Sequence, residues 1–323
     1  NFGKLELEEV LAPVIAQATD GITVTYDLYK AIESIERLYN DNEIVCYSRD
    51  EAKLYLLKKK YPKIKCVVGD IRNLNRLIRE SKNCNVGIFT ASLKQISACD
   101  ENTTEAIDTI INGAVNSRIA AEDNNFESAC FVSSDKACAA TTIYGACKFV
   151  AEQSFIVNNS HIPLVSCRYG NVTNSTGSII PLIKNALENN YKLNLYSEEM
   201  TRFMLSIEEA IDLILYSMEN FSQATVIPNI KSFKIKDLFD IYKEKFGLEY
   251  SVSTPRVGEK IHEVMISEEE AFRTTKHNNY FAISPTKTSE NPVNFINREF
   301  SSRDYVMDKA VLEKTLSDNN FYL

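Results

Sequence analysis

With 323 residues, 36 Lys and Arg against 44 Asp and Glu, and a net charge of −8, the chain can fill one large domain or two joined ones. That charge balance offers no basic surface for nucleic acid or anionic membrane, and no run approaches the roughly 18 apolar residues of a membrane span. Residues 1–9 are too charged for a signal peptide; eight cysteines without a C-x-x-C pair, and three scattered histidines (His161, His262, His277), argue against disulfides and metal and for a reduced, cytoplasmic protein.

Short β-branched apolar runs alternate with amphipathic segments. In chain order, strands are predicted over residues 22–25, 44–48, 66–69, 86–91, 129–133, 164–169 and 224–227. Helices are predicted over 28–38, 51–60, 74–80, 104–122, 143–158 and 207–218. Cys46, Cys66, Cys130 and Cys167 fall inside strands, where a free thiol acts as a small buried hydrophobe. Lys58, Lys59 and Lys60 close a helix and read as a solvated face. Strands separated by helices of this length specify βαβ units and a parallel sheet. Nearly continuous apolar strands belong to a sheet covered on both faces. The expected fold class is therefore α/β, a doubly wound parallel sheet over about residues 20–225. The last hundred residues hold helices at 235–246 and 308–316, a short strand at 280–284 and polar loops, which reads as a smaller α+β portion. The division is then a 1–20 extension, a sheet domain over 21–172 with 205–228 returning to it, and a second portion from 173–204 and 229–323.

Ligands of such sheets bind beyond the C-terminal strand ends. Strand 129–133 runs into Ser133-Ser134-Asp135-Lys136-Ala137, and Tyr144 and Lys148, four apart, share a face of the next helix. An ammonium beside a phenol stabilises the phenolate and brings tyrosine towards general-base range. An adjacent carboxylate and amine suit an elimination, which needs an acid and a base together. The bland alternatives are an exposed Tyr/Lys helix face and a surface ion pair.

These residues carry a resemblance. The inverting UDP-N-acetylglucosamine 4,6-dehydratases, of the extended short-chain dehydrogenase/reductase superfamily, have a Ser-Thr-Asp-Lys-Ala turn followed by Tyr-Gly-Ala-Thr-Lys. Here those read Ser133-Ser134-Asp135-Lys136-Ala137 and Tyr144-Gly145-Ala146-Cys147-Lys148. Further blocks agree in order: Tyr47-Ser48-Arg49-Asp50-Glu51, Gly69-Asp70-Ile71-Arg72, Leu93-Lys94-Gln95, Arg168-Tyr169-Gly170-Asn171-Val172, Gly177-Ser178-Ile179-Ile180-Pro181 and Met200-Thr201-Arg202-Phe203. The long block at 256–267, from Arg256 through Glu259 and Glu263 to Ser267, completes the set, so the likeness spans about residues 44–316.

The resemblance implies a Rossmann-like NADP-binding domain, a UDP-sugar substrate, polysaccharide biosynthesis as the setting and a homo-oligomer. It implies that Tyr144, tuned by Lys148, takes the proton of the sugar C4 hydroxyl. Lys136 would remove the C5 proton and Asp135 would protonate the departing C6 hydroxyl. Ser48, Arg49, Asp70, Ile71, Ser133, Tyr144 and Lys148 would hold the cofactor, with Arg49 at its 2′-phosphate. Lys94, Asn171, Arg202, Arg256 and Glu259 would hold the substrate.

The sequence also departs from the family. Where relatives have a Thr-Gly-Gly-Thr-Gly-Ser-Phe-Gly turn for the pyrophosphate, residues 22–25 run into Tyr26-Asp27-Leu28-Tyr29, and no glycine occurs between Gly21 and Gly69. Asp27 as a helix N-cap would compete with a phosphate. Thr109-Ile110-Ile111 replaces a Thr-Asn-Val run, and Phe89 and Thr176 stand at two further altered positions. The second reading is thus a non-catalytic relative that keeps a UDP-sugar pocket as a binding or assembly subunit. A third, an epimerase or reductase, leaves the Asp135-Lys136 pair unexplained.

Overall fold

The computed structural model describes residues 14–16 and 43–322, apart from 174–177, 256–257, 287–295, 297 and 320. The expected strand at 22–25, the glycine-poor turn and helix after it, Thr176 and Arg256 lie outside these residues.

After β1 (Val14–Ala16) and β2 (Ile44–Ser48) comes α1 (Glu51–Lys60), started by Asp50, whose carboxylate accepts the Lys53 N–H at 2.9 Å. At its other end Lys58 donates to the carbonyls of Pro62 and Ile64, both at 2.6 Å, so the lysine run closes a helix at its negative end. β3 (Lys65–Val68), α2 (Leu74–Glu80), β4 (Val86–Phe89) and α3 (Ile96–Glu101) follow. The α-helix predicted over 104–122 is interrupted: α4 (Thr103–Ala106) and α5 (Gly113–Asp123) flank a π-helical turn, Ile107–Asn112. That wider turn spans a β-branched run and buries the neighbours Thr109 and Ile110 together.

β5 (Ser128–Val132) leads through a short 3-10 turn, Asp135–Ala137, to α6 (Ile143–Phe155), then β6 (Leu164–Cys167) and β7 (Asn171–Val172). The chain continues with α7 (Ile179–Asn189), β8 (Leu193–Leu195), β9 (Thr201–Leu205), α8 (Ile207–Asn220) and β10 (Ala224–Pro228). Its last part holds β11 (Ser232–Lys234), α9 (Ile235–Phe246), β12 (Tyr250–Val252), β13 (Val264–Ile266), α10 (Glu268–Ala271), β14 (Thr274–His277), β15 (Tyr280–Ile283), β16 (Phe300–Ser301) and α11 (Lys309–Asp318).

Nine strands make one sheet in the order β14-β15-β10-β6-β5-β4-β1-β2-β3. β2 and β3 pair in parallel, as do β4, β5, β6 and β10 in succession, giving the doubly wound core. β1, from residues expected to precede the domain, lies antiparallel between β2 and β4. The strand expected with the smaller portion, β15, pairs antiparallel with β10 instead, and β14 pairs with β15. Phe281, Ala282 and Ile283 are all buried, an apolar run that covers an otherwise bare edge.

Alternation along β5 sets the two faces. Ala129 and Phe131 pack under α2, α5 and α6 with Leu77, Ala120 and Phe155. Cys130 and Val132 pack with Val165, Cys167 and Ile211 of α8. The smaller portion has its own core, where Ile183, Leu238, Tyr242 and Leu316 bring α7, α9 and α11 together. All eight cysteines are free, and among the described residues no helix is long and apolar enough to cross a membrane.

Candidate active site

The Ser133–Lys136 turn is carried by the end of β5. Ser133 N–H donates to Cys167 O at 2.8 Å and Asp135 N–H to Tyr169 O at 3.0 Å, so the β5–β6 ladder continues into the turn. Ser134 Oγ accepts the Lys136 N–H and donates to Asp135 Oδ1 at 2.9 Å. Asp135 is only 1% exposed, yet its Oδ1 lies 3.2 Å from Lys136 Nζ. A buried carboxylate persists only with such partners.

Thr142 caps α6 by accepting the Gly145 N–H, and the helix start packs directly on this turn. A Cβ at Gly145 would sit 2.3 Å from the Lys136 carbonyl oxygen, so only glycine allows the approach. The neighbouring Tyr144 is half-buried and within electrostatic reach of Lys136. One turn on, Lys148 is buried, donates to Val132 O at 2.8 Å and lies 4.7 Å above the Phe131 ring. Burial pulls its pKa down to about 7 against the opposing charge of Glu152. This low-dielectric seat disfavours the charged amine that was expected to support Tyr144.

Lys136 faces a second carboxylate. Glu263 Oε1 lies 3.6 Å from Lys136 Nζ and 3.7 Å from Arg202 Nε, while Glu263 Oε2 lies 3.8 Å from Lys260 Nζ. Burial works against the Lys136 ammonium, but Asp135 and Glu263 outweigh it and hold the amine protonated well above the usual lysine range. Arg202 Nη2 donates to Glu259 Oε1 at 2.6 Å, so two residues assigned separately to substrate form an ion pair with each other. Lys94 and Asn171 are half-buried, at the ends of the β4 loop and in β7.

Beneath the turn lies a network that motif reading did not single out. Arg168, fully buried, donates from Nη1 to Glu270 Oε2 at 2.8 Å and Met265 O at 2.7 Å, and from Nη2 to Glu270 Oε1 at 2.9 Å and to Glu152. Ser133 Oγ donates to Glu152 Oε2 at 2.7 Å, so the hydroxyl expected at the cofactor is turned to this cluster. Burial raises the Glu270 pKa, but Arg168 more than reverses this and leaves it below the ordinary value. Arg168 opens one family block and Glu263 stands in another. Their place in those blocks was the available signal, but spacing along the chain does not show that they converge.

At the C-terminal ends of β2 and β3, Arg49 Nη1 lies 3.3 Å from Glu105 and 3.6 Å from Asp70. Arg72, not singled out from sequence, reaches Asp70 at 2.6 Å and Glu105 at 2.8 Å. Arg49 is thus shared between carboxylates and is not a lone cation. Ser48 Oγ accepts the Asp50 N–H, and Ile71 O accepts from Asn116 at 3.0 Å. Two guanidiniums converge at a strand end, where they could bind phosphate oxygens in pairs, but Asp70 and Glu105 already take up their donors, so a phosphate would have to displace these carboxylates. No group of three or more metal-ligating side chains occurs among the described residues.

A doubly wound sheet with a Tyr-x-x-x-Lys helix after the strand that bears an Asp-Lys turn defines the class: an extended short-chain dehydrogenase/reductase fold. Pen from Bacillus thuringiensis superposes with a TM-score of 0.82 over 90% of this chain and 94% of its own, at 26% identity. DesIV, a dTDP-glucose 4,6-dehydratase from Streptomyces venezuelae solved with NAD bound, shares the fold at a TM-score of 0.60 and 16% identity over 68% of this chain and 77% of its own.

The family described as polysaccharide biosynthesis protein matches residues 29–285, and the chain belongs to it. It is 33% identical to the UDP-N-acetylglucosamine 4,6-dehydratase (inverting) of Campylobacter jejuni, covering 77% of this chain and 76% of that one. It is 34% identical to a UDP-glucose 4-epimerase of Rickettsia bellii, covering 75% and 74%.

Proposed function

We propose that this protein is a nucleotide-sugar 4,6-dehydratase that converts UDP-N-acetylglucosamine to a UDP-4-keto-6-deoxy sugar with NADP. The observation that carries the reading is the buried Asp135 paired with Lys136 against the start of the helix bearing Tyr144. Ser48, Arg49, Asp70 and Ile71 hold the adenosine end of the cofactor, with Arg72 beside them, and Tyr144 and Lys148 serve its nicotinamide-ribose end, while the Ser133 hydroxyl is engaged by Glu152. The nicotinamide supplies a hydride acceptor for C4 and a hydride donor for C6. Lys94, Asn171, Arg202, Arg256 and Glu259 hold the UDP-sugar.

Tyr144, as the phenolate, takes the proton of the C4 hydroxyl and becomes the phenol, and Lys148, when protonated, stabilises that phenolate beforehand. With a ketone at C4 the C5 proton becomes acidic. Lys136 Nζ removes it while Asp135 delivers a proton to the C6 hydroxyl, which leaves as water. Lys136 first passes the proton that Asp135 and Glu263 hold on it to Asp135 Oδ1, 3.2 Å away, which makes the amine the base and the carboxyl the acid, and the amine returns the C5 proton once C6 is reduced.

The epimerase relatives favour a second reading, a UDP-sugar 4-epimerase. Epimerisation at C4 uses the tyrosine and the cofactor and gives an acid–base pair at C5 and C6 nothing to do. Incubation with NADP⁺ and UDP-N-acetylglucosamine distinguishes them: a dehydratase gives a product that absorbs under alkali as a 4-keto sugar, an epimerase gives the 4-epimer. Tyr144→Phe and Lys136→Ala abolish the alkali signal. Absence of NADP⁺ binding by calorimetry, together with absence of either product, would leave the non-catalytic UDP-sugar-binding relative.

A further inference from the structure

Glu263 is 3% exposed, sits just before β13 and has three cations around it: Lys136, Arg202 and Lys260. Its backbone is fixed by the N–H donating to Ser302 Oγ at 2.9 Å. Lys260 is itself anchored, donating to Cys138 O at 2.7 Å, and Arg202 is anchored by Glu259. The carboxylate therefore has a rigid frame on two sides and one flexible neighbour, the Lys136 side chain. Glu263 takes no direct part in the dehydratase chemistry given above, although a buried carboxylate within 4 Å of Lys136 is costly to maintain.

We propose that Glu263 is a positioning residue that clamps the Lys136 side chain beside Asp135 and sets when that amine can accept a proton. The inference rests on the dehydratase reading for its role in turnover, but the clamp itself is a property of the resting protein. The charged and titratable groups around Lys136 are Asp135 on its own turn, Glu263, Arg202 on β9 and Tyr144 on α6. Asp135 and Glu263 favour the ammonium, and Arg202 opposes it. Removing the Glu263 charge takes one of the two carboxylates away from Lys136 and leaves Arg202 with Glu259 alone, and both changes act towards the neutral amine.

The test is competitive labelling of lysines with acetic anhydride across pH on the whole protein, reading the Lys136 peptide by mass spectrometry. In Glu263→Gln the half-labelling pH of Lys136 falls by about 1–3 units, the usual effect of one close opposite charge. Glu263→Asp, which keeps the charge and folds with little disturbance, falls between the variant and the wild type. An unmoved Lys136 curve in Glu263→Gln overturns the proposal. So does an Asp variant that behaves like Gln, because the charge would then not be what acts.

Alongside, the pH–rate profile of 4-keto product formation moves to lower pH by the same amount, whereas a merely structural role lowers the rate without moving the profile. A displaced labelling curve with an unmoved profile overturns the role in turnover. If the wild type forms no product, the dehydratase reading fails while the labelling result still stands for the clamp.

Discussion

The contact that joins the two halves of the candidate site is also the one most sensitive to a single methyl group. Gly145→Ala places a Cβ 2.3 Å from the Lys136 carbonyl oxygen, where ordinary contact begins at 3.4 Å, so helix and turn must separate by about 1.1 Å. The obstructing atom is backbone and cannot rotate away. Overpacking of this kind costs about 1–3 kcal/mol, and the better helix propensity of alanine returns about 1 kcal/mol. The net loss of stability is therefore about 0–2 kcal/mol, and the variant folds. Its chemistry suffers more, because Tyr144 is the neighbouring residue and a displacement of about 1 Å at reacting groups costs on the order of 100-fold in rate. Urea denaturation and the rate of 4-keto product formation, measured on the same preparation, separate the two effects. A variant with wild-type stability and wild-type rate would refute the close seating of α6 on the Lys136 turn.

The buried Arg168 cluster makes a stability prediction: Arg168→Met leaves Glu152 and Glu270 buried without their shared cation and costs about 3–5 kcal/mol in urea denaturation, and a loss below about 1 kcal/mol would contradict the network. Lys148 makes a pH prediction. Burial lowers its pKa from 10.5 to about 7, so the folded state sheds a proton that the unfolded chain keeps up to about 10.5. Stability therefore rises with pH through this window, at up to about 1.4 kcal/mol per unit. The clean range is about pH 7 to 8, because seven cysteines with an ordinary value of 9.0 begin to ionise in the unfolded chain above it while the buried thiols stay neutral, which opposes the trend. Lys148→Met abolishes most of the rise between those two pH values, and a wild-type slope in that variant would show that Lys148 is not the group responsible.

Much of the sheet was legible because buried parallel strands leave a local signature. The runs at 44–48, 129–133 and 224–227 recur as β2, β5 and β10 with shifts of a residue, since a strand covered on both faces must be apolar at every position. The Asp135-Lys136 turn and the Tyr144/Lys148 helix face were legible too, because both are local in sequence and fall at a strand end. The π-helical turn at Ile107–Asn112 was not, since its hydrophobic spacing also suits an α-helix and packing against α6 makes the difference. Neither was the attachment of β15 to the main sheet, which depends on β10 offering an edge to a strand fifty residues away in sequence.

What the sequence by itself determined was the alternating α/β order, the apolar faces and the position of the Asp135-Lys136 turn, all consequences of patterns within ten or twenty residues. Only the tertiary structure decided the charge state and company of the residues in that turn. It brings Glu263 from 127 positions beyond Lys136 to 3.6 Å, pairs Arg202 with Glu259, turns Ser133 towards Glu152 and seats Lys148 where charge is disfavoured. Burial and ion pairing depend on which segments meet, and electrostatic effects fall off with distance in space whatever the separation along the chain.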